Sequence, residues 1–211
     1  MDRNLADLAA RRRAAALSGH RGDVATARDL LADPDPGVRA IALGALHRAD
    51  ALDRPVLDGA LADPEPAVRR RAAELVAALA GGGAAASARL LPLLDDPDAT
   101  VVEVAAWACG ERDPAEPGTV ERLVGLAADH EDALVREAAV AALGSLGDER
   151  GLPAVLRAMD DKATVRRRAV VALAAFEGPE VDAALARGAG DRDWQVRQVA
   201  EDLGAAPHEP G

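Results

Sequence analysis

The chain has 211 residues, 49% of them hydrophobic but only 1% aromatic, with no tyrosine and a formal net charge of −11. That apolar content is enough for a sizeable core, but Ala, Leu and Val dominate it, which suits closely packed helices and excludes the aromatic-rich interior of an all-β protein. The negative charge slows encounter with phosphate-rich partners, so nucleic acid and anionic membrane surfaces are disfavoured, and no segment has the roughly 20 apolar residues needed to cross a bilayer.

In chain order, residues 2–18 read as a helix covering the exposed face of whatever follows it. The N-terminal stretch lacks the uninterrupted apolar core of a signal peptide, and the single cysteine, Cys109, has no partner for an internal disulfide. A reducing, cytoplasmic setting is expected. Basic residues are nearly all arginine, with Lys162 the one lysine, a bias that suits a GC-rich bacterial genome.

From Asp33 the chain reads DPDPGVRAIALGAL, and from Asp63 DPEPAVRRRAAELVAAL. The phrase returns around Val38, Val68, Val101, Val135, Val165 and Val196. Five positions before each valine stands Asp33, Asp63, Asp96, His130, Asp160 or Asp191. Arg39, Arg69, Arg136, Arg166 or Arg197 follows it directly, Val102 being the exception. Four positions after it comes Ala42, Ala72, Ala105, Ala139, Ala169 or Ala200, and four further on Leu46, Val76, Cys109, Leu143 or Leu173. Spacings of four and eight place these residues on one stripe of a helix. Apolar residues at helical spacing before each turn, as in ATARDLLAD or ARLLPLLDD, predict an outer helix paired with each inner one. Asp-Pro steps stop the outer helix, and acids in the turn cap the inner one. A period near 30 residues marks an array of helical hairpins, each too small to bury its own apolar stripe. The hairpins are expected over residues 23–49, 52–80, 84–112, 117–147, 149–177 and 179–204, as one domain over 1–211. An alanine at every mid-helix position permits stacking at about 8–10 Å.

The turn Asp, the Val-Arg pair and the alanine, repeated over about residues 23–204, resemble HEAT repeats of the short bacterial type also seen in phycobilisome-lyase-like proteins. The resemblance implies an all-α, right-handed α-solenoid of about six HEAT-like hairpins with an N-terminal capping helix. It also implies a hydrogen-bonded ladder between repeats made by Asp33, Arg39, Asp63, Arg69, Asp160, Arg166, Asp191 and Arg197. Val102 breaks that ladder in the third copy.

Arginine runs at 11–13, 69–71 and 166–168 read as a ladder arginine with solvated neighbours, because the repeats between offer Glu103, Val104, Glu137 and Ala138 instead of a basic track. A DNA-glycosylase-like groove needs aromatic platforms, and only Trp107, Trp194 and Phe176 are available. Trp107 falls at a variable inner-helix position and is the candidate binding anchor; Trp194 is expected to pack on the preceding repeat. His130-Glu131 invites comparison with deoxyhypusine hydroxylase, a HEAT-type di-iron enzyme. Its position in a turn departs from that pattern, and the other such pair, His208-Glu209, lies in the tail. No metal site and no cofactor are expected. Cys109 lies on the apolar stripe as a small hydrophobe. AGGGAAASAR at 80–89 lacks the strand and lysine of a phosphate loop and reads as a connector, and GERDPAEPGT from Gly110 as a second one.

Positions two, six and nine after each valine are expected to form a concave wall, including Arg70, Glu74, Glu103, Trp107, Glu137, Ala141, Arg167 and Val171. Both charge signs on apolar ground suit a protein or peptide partner. The expectation is a non-catalytic, monomeric scaffold or adaptor. The alternative is a HEAT-type enzyme or lyase-like chaperone, phycobilin-lyase-like or DNA-glycosylase-like, using the same groove. Removing one buried valine costs about 0.5 to a few kcal/mol, and a buried carboxylate costs more. Val135→Asp, in the middle of the array, is expected to abolish cooperative unfolding in a thermal melt followed by circular dichroism; an unchanged melt would reject the repeat register.

Overall fold

A computed structural model describes residues 3–79 and 88–204, and among them are twelve α-helices and no strand. The glycine-rich stretch 80–87 and the tail 205–211, with His208 and Glu209, lie outside the described residues. Helices gather into two compact units, Met1–Leu93 and Leu94–Gly211.

The first unit holds α1 (Arg3–Arg21), α2 (Val24–Asp29, extended by a 3₁₀ turn Leu30–Ala32), α3 (Pro36–Arg48), α4 (Arg54–Leu61) and α5 (Pro66–Ala78). Gly22, at φ +67°, lets the chain turn left-handed out of α1. α1 lies against α3, and α3 against α5. Ala15 of α1 joins Val38 and Ala42 in one cluster with Leu8, Leu30, Leu31 and Ile41 around it. The approach is close: a Cβ on Gly19 would stand 2.7 Å from the Ala45 Cα.

The second unit holds α6 (Ala99–Gly110), α7 (Thr119–Asp129), α8 (Ala133–Leu146), α9 (Leu152–Ala158), α10 (Ala163–Leu173), α11 (Pro179–Gly188) and α12 (Trp194–Gly204). Inner helices α6, α8, α10 and α12 pack in sequence, while α7, α9 and α11 cover α8, α10 and α12 respectively. The expected outer helix of the third hairpin is instead a 3₁₀ turn, Leu91–Asp95. Pro92 removes a backbone donor within it, and Asp96-Pro97 follows at once, leaving no room for α-helical turns. All six marker valines are at most 2% exposed, as are the six alanines four positions on. The stripe that repeats in sequence is therefore the stripe that lies inside.

Each turn is built by carboxylates that accept from backbone. Asp35, Asp98, Asp132 and Asp193 cap their helices by accepting from the amides of Val38, Thr100, Leu134 and Gln195. Two residues earlier a second acid closes the turn: the Oδ1 atoms of Asp33, Asp63, Asp96 and Asp191 accept from the amides of Asp35, Glu65, Asp98 and Asp193 at 2.7–2.9 Å.

Two of these carboxylates, Asp63 and Asp191, receive an arginine from the preceding inner helix. Arg39 donates from Nε and Nη2 to the two oxygens of Asp63 at 2.9 and 2.7 Å, and Arg166 does the same to Asp191 at 2.8 and 2.7 Å. Nη1 of each arginine meanwhile donates to carbonyls of its own turn, Asp33 for Arg39 and Asp161 for Arg166. Arg69 and Arg197 hold their own turns in this way, through the carbonyls of Asp63 and Asp191. α1 imitates a repeat here, since Arg11 Nε donates to Asp33 at 2.8 Å. The Arg166 guanidinium, and then the Asp193 amide, hold Asp191 below the usual carboxylate range against the opposing effect of burial. Stability from such a depressed group is complete above about pH 4 and is lost only as pH falls through the folded value.

In the fifth copy the ladder carboxylate is Asp161, not Asp160. Arg136 donates to both Asp161 oxygens at 2.6 and 2.8 Å, while Asp160 is exposed and only 3.9 Å from Arg187. The physical reason is a turn one residue shorter. The Asp161 amide donates to the Ala158 carbonyl just as those of Asp33 and Asp63 donate to Leu30 and Ala60, so Asp161 takes their place four residues before its valine rather than five.

The missing arginine of the third copy is matched by a missing acid in the fourth. Val102 replaces the donor, and His130 replaces the acceptor, with its Nδ1 taking the Asp132 amide at 3.1 Å in place of a carboxylate. Losing both members together avoids an unpaired, largely buried charge. Val102→Arg alone is expected to destabilise the protein by about 1–3 kcal/mol through an unpaired guanidinium, and Val102→Arg with His130→Asp to recover about 1–3 kcal/mol of coupling. A double-mutant cycle from urea unfolding checks this, and zero coupling would show that the two positions do not face each other.

Candidate functional site

On the second unit the inner helices draw together at their C-terminal ends through glycine. A Cβ on Gly110 would lie 2.8 Å from the Ala142 Cα, and one on Gly144 would lie 2.7 Å from the Ala172 Cα. Small residues also occupy the middle of α8, at Ala138 and Ala141, so a trough runs across its face. It consists of two adjoining clefts of about 420 and 340 Å³ that share Ala141 and Arg168. Trp107 of α6, Leu134 of α8 and Val171 of α10 stand along it, 44%, 55% and 45% exposed. Glu103 and Glu137 complete the wall of the larger cleft. Glu137 accepts from Arg168 Nη2 at 3.4 Å, and Arg168 Nε is buried without an acceptor. Glu103 stands one helical turn before Trp107, and its carboxylate has no hydrogen bond or ion pair among the described residues.

Glu103, Trp107, Glu137 and Val171 share the trough of the second unit. Arg167 does not line it: its Nη1 donates to Gln195 Oε1 of α12 at 2.8 Å. Its place is taken by Arg168, because the floor follows positions three and six after each valine, Val104 and Trp107, Ala138 and Ala141, Arg168 and Val171. Arg70 and Glu74 belong to the first unit, on α5, where Arg71 Nη1 donates to Glu74 at 2.8 Å and Arg70 stands 3.9 Å from it. Arg168 and Leu134 escaped the sequence reading. A register of three rather than two would have found Arg168, whereas nothing in sequence separates an exposed leucine from a buried one.

Most arginines of the three runs are engaged internally. Arg11 and Arg12 bind Asp33 and Asp35, Arg71 binds Glu74, and Arg166, Arg167 and Arg168 bind Asp191, Gln195 and Glu137. Trp194, expected to pack on the preceding repeat, is 65% exposed instead. It is the first residue of α12, where Val196 and Ala200 supply the buried face. Phe176 is buried and offers no stacking platform. Cys109 is buried in the stripe, and desolvation pushes its thiol up to about 12. A thiol so far from ionisation is a poor nucleophile at neutral pH. Among the described residues no three of His, Cys, Asp or Glu are grouped to hold a metal ion, and no helix is long and apolar enough to cross a membrane. The connector after Gly110 borders a polar cleft of about 850 Å³. There Arg150 binds Asp148 at 2.7 Å and holds its carboxyl down to about 2.

Comparison with known proteins gives a consistent architecture. A family model for HEAT repeats matches residues 24–110, 52–143, 87–168 and 120–203. No curated protein matches. Among solved structures, an engineered protein from the Northeast Structural Genomics Consortium is similar with a TM-score of 0.67 at 22% identity, over 86% of this chain and 97% of that one. Another from the same source gives 0.62 at 21% identity, over 86% and 95%. A designed armadillo repeat protein in complex with the peptide (KR)4 gives 0.60 at 21% identity, over 84% and 98%. With stacked helical hairpins in both units and overlapping family matches from residue 24 to residue 203, the chain belongs to the HEAT-repeat family.

Proposed function

We propose that the protein is a non-catalytic scaffold or adaptor that binds a protein or peptide partner on the inner-helix face of its second unit. The observation that carries this reading is the exposure of Trp107, Leu134 and Val171 on one face, above a floor of alanine and glycine. Large apolar side chains left open beside a trough mark interaction sites, and tryptophan is among the residues that most often dominate binding energy. An open, elongated trough suits an extended chain better than a small molecule, which needs a cavity enclosing most of its surface. A fold neighbour in complex with a peptide gives a precedent for this mode in stacked helical repeats.

The site is tested in cells of the native host with a photo-crosslinking residue at Ala141, in the trough, and as a control at Arg187 on outer helix α11. Crosslinks to a defined protein are expected from position 141 only. The double variant Trp107→Ala, Glu103→Arg should keep its circular dichroism spectrum and lose that crosslink. Equal crosslinking from both positions, or capture of an unchanged set of proteins by the double variant, would refute the placement.

A further inference from the structure

Resting on that reading, we propose that the trough takes an extended protein segment carrying an arginine, whose guanidinium stacks on Trp107 and pairs with Glu103. The larger cleft is lined by two carboxylates, Glu103 and Glu137, against one guanidinium, Arg168. Arg168 is drawn to Glu137, so the uncompensated negative charge is that of Glu103. Glu103 precedes Trp107 by one helical turn on the same face, so a cation lying on the indole is within reach of the carboxylate. A cation over a tryptophan face gains from the ring quadrupole, and arginine, planar and weakly hydrated, stacks there better than lysine. The neighbouring ground selects the rest of the side chain and its neighbours. Leu134 offers an apolar edge, and Ala138 and Ala141 are small, suited to the aliphatic stem of the arginine and to a short apolar residue beside it. Val171 and the alanines of the adjoining cleft take a further apolar side chain.

Charge complementarity disfavours the opposite occupants. An acidic segment would face Glu103 directly, and on α10 Arg167 is held by Gln195 and Arg168 Nη2 by Glu137, with Arg168 Nε the one donor there left without an acceptor among the described residues. From α6 to α10 the face spans two helix spacings, about 16–20 Å, which an extended chain covers in about five to six residues. The ligand is thus a short stretch with one arginine near its α6 end and small apolar residues toward α10.

The test uses three fluorescein-labelled octapeptides, Gly-Ala-Val-Arg-Ala-Val-Leu-Gly and the same sequence with glutamine or glutamate in place of arginine, with anisotropy read against the full chain at low and high salt. The arginine peptide is expected to bind about 10-fold more tightly than the glutamine peptide, with the glutamate peptide weaker still and the preference shrinking in salt. Glu103→Gln, with an unchanged far-ultraviolet spectrum, should reduce the arginine-over-glutamine preference to about 3-fold or less, and Trp107→Ala should abolish binding of the arginine peptide. Equal binding of arginine and glutamine peptides, binding of none of the three, or a preference untouched by Glu103→Gln would overturn the inference. So would tighter binding of a 12-nucleotide single-stranded DNA than of the arginine peptide. If the crosslink at Ala141 persists while the arginine preference is absent, the peptide-binding reading stands and only the charge assignment falls.

Discussion

In three inner helices one arginine ties two turns together, and the stacking of the hairpins depends on it. In Arg39, Arg136 and Arg166 one end of the guanidinium holds carbonyls of its own turn while the other end grips both oxygens of the next ladder acid. The planar fork permits no other alignment of both ends, so each bond sets the offset between neighbouring hairpins as well as joining them. Hydrophobic stacking supplies most of the stability, but it is tolerant of sliding. A bidentate pair that is largely shielded from water is not, because a displaced carboxylate would leave a charge without a partner. α1 shows that the bond matters more than the repeat: a helix outside the repeat pattern still delivers Arg11 to Asp33.

The rung without charges follows the same logic. Val102 and His130 depart from the pattern in consecutive copies, one in place of the donor and one in place of the acceptor, and the histidine keeps the part of the acid's work that concerns its own turn, accepting the Asp132 amide. The backbone connection survives while the ion pair is dispensed with. In the fifth copy the converse holds, where the turn loses a residue and the ladder acid moves to Asp161 so that the pair survives.

Clamping the turns leaves the middle of the inner helices free for other uses. There the alanines and the close contacts at Gly110 and Gly144 bring α6, α8 and α10 together, and what is missing in side-chain volume becomes the trough. Large residues appear only at its edges, as Trp107, Leu134 and Val171. The surface is therefore made by helix spacing, and its chemistry is written by the few positions that face outward from that spacing.

Periodicity was sufficient for the class of fold, the inner stripe and most turn chemistry, because a valine, an alanine and an aliphatic residue spaced by four can share an interior only on a helix, and six copies leave one common arrangement. It also singled out Trp107, since a bulky residue at a variable position of an otherwise small-residue helix has no interior to fill. Three features needed the folded chain. Asp161 rather than Asp160 carries the rung, because only the hydrogen bond to Ala158 shows where the shorter turn begins. Arg168 rather than Arg167 faces the trough, because two adjacent helix positions differ by about 100° and the stacking angle chooses between them. Trp194 stays exposed because the buried side of α12 belongs to Val196 and Ala200. Local spacing determines which residues share a face of one helix, but only packing against the next helix decides which side of that face is covered and which is left for a partner.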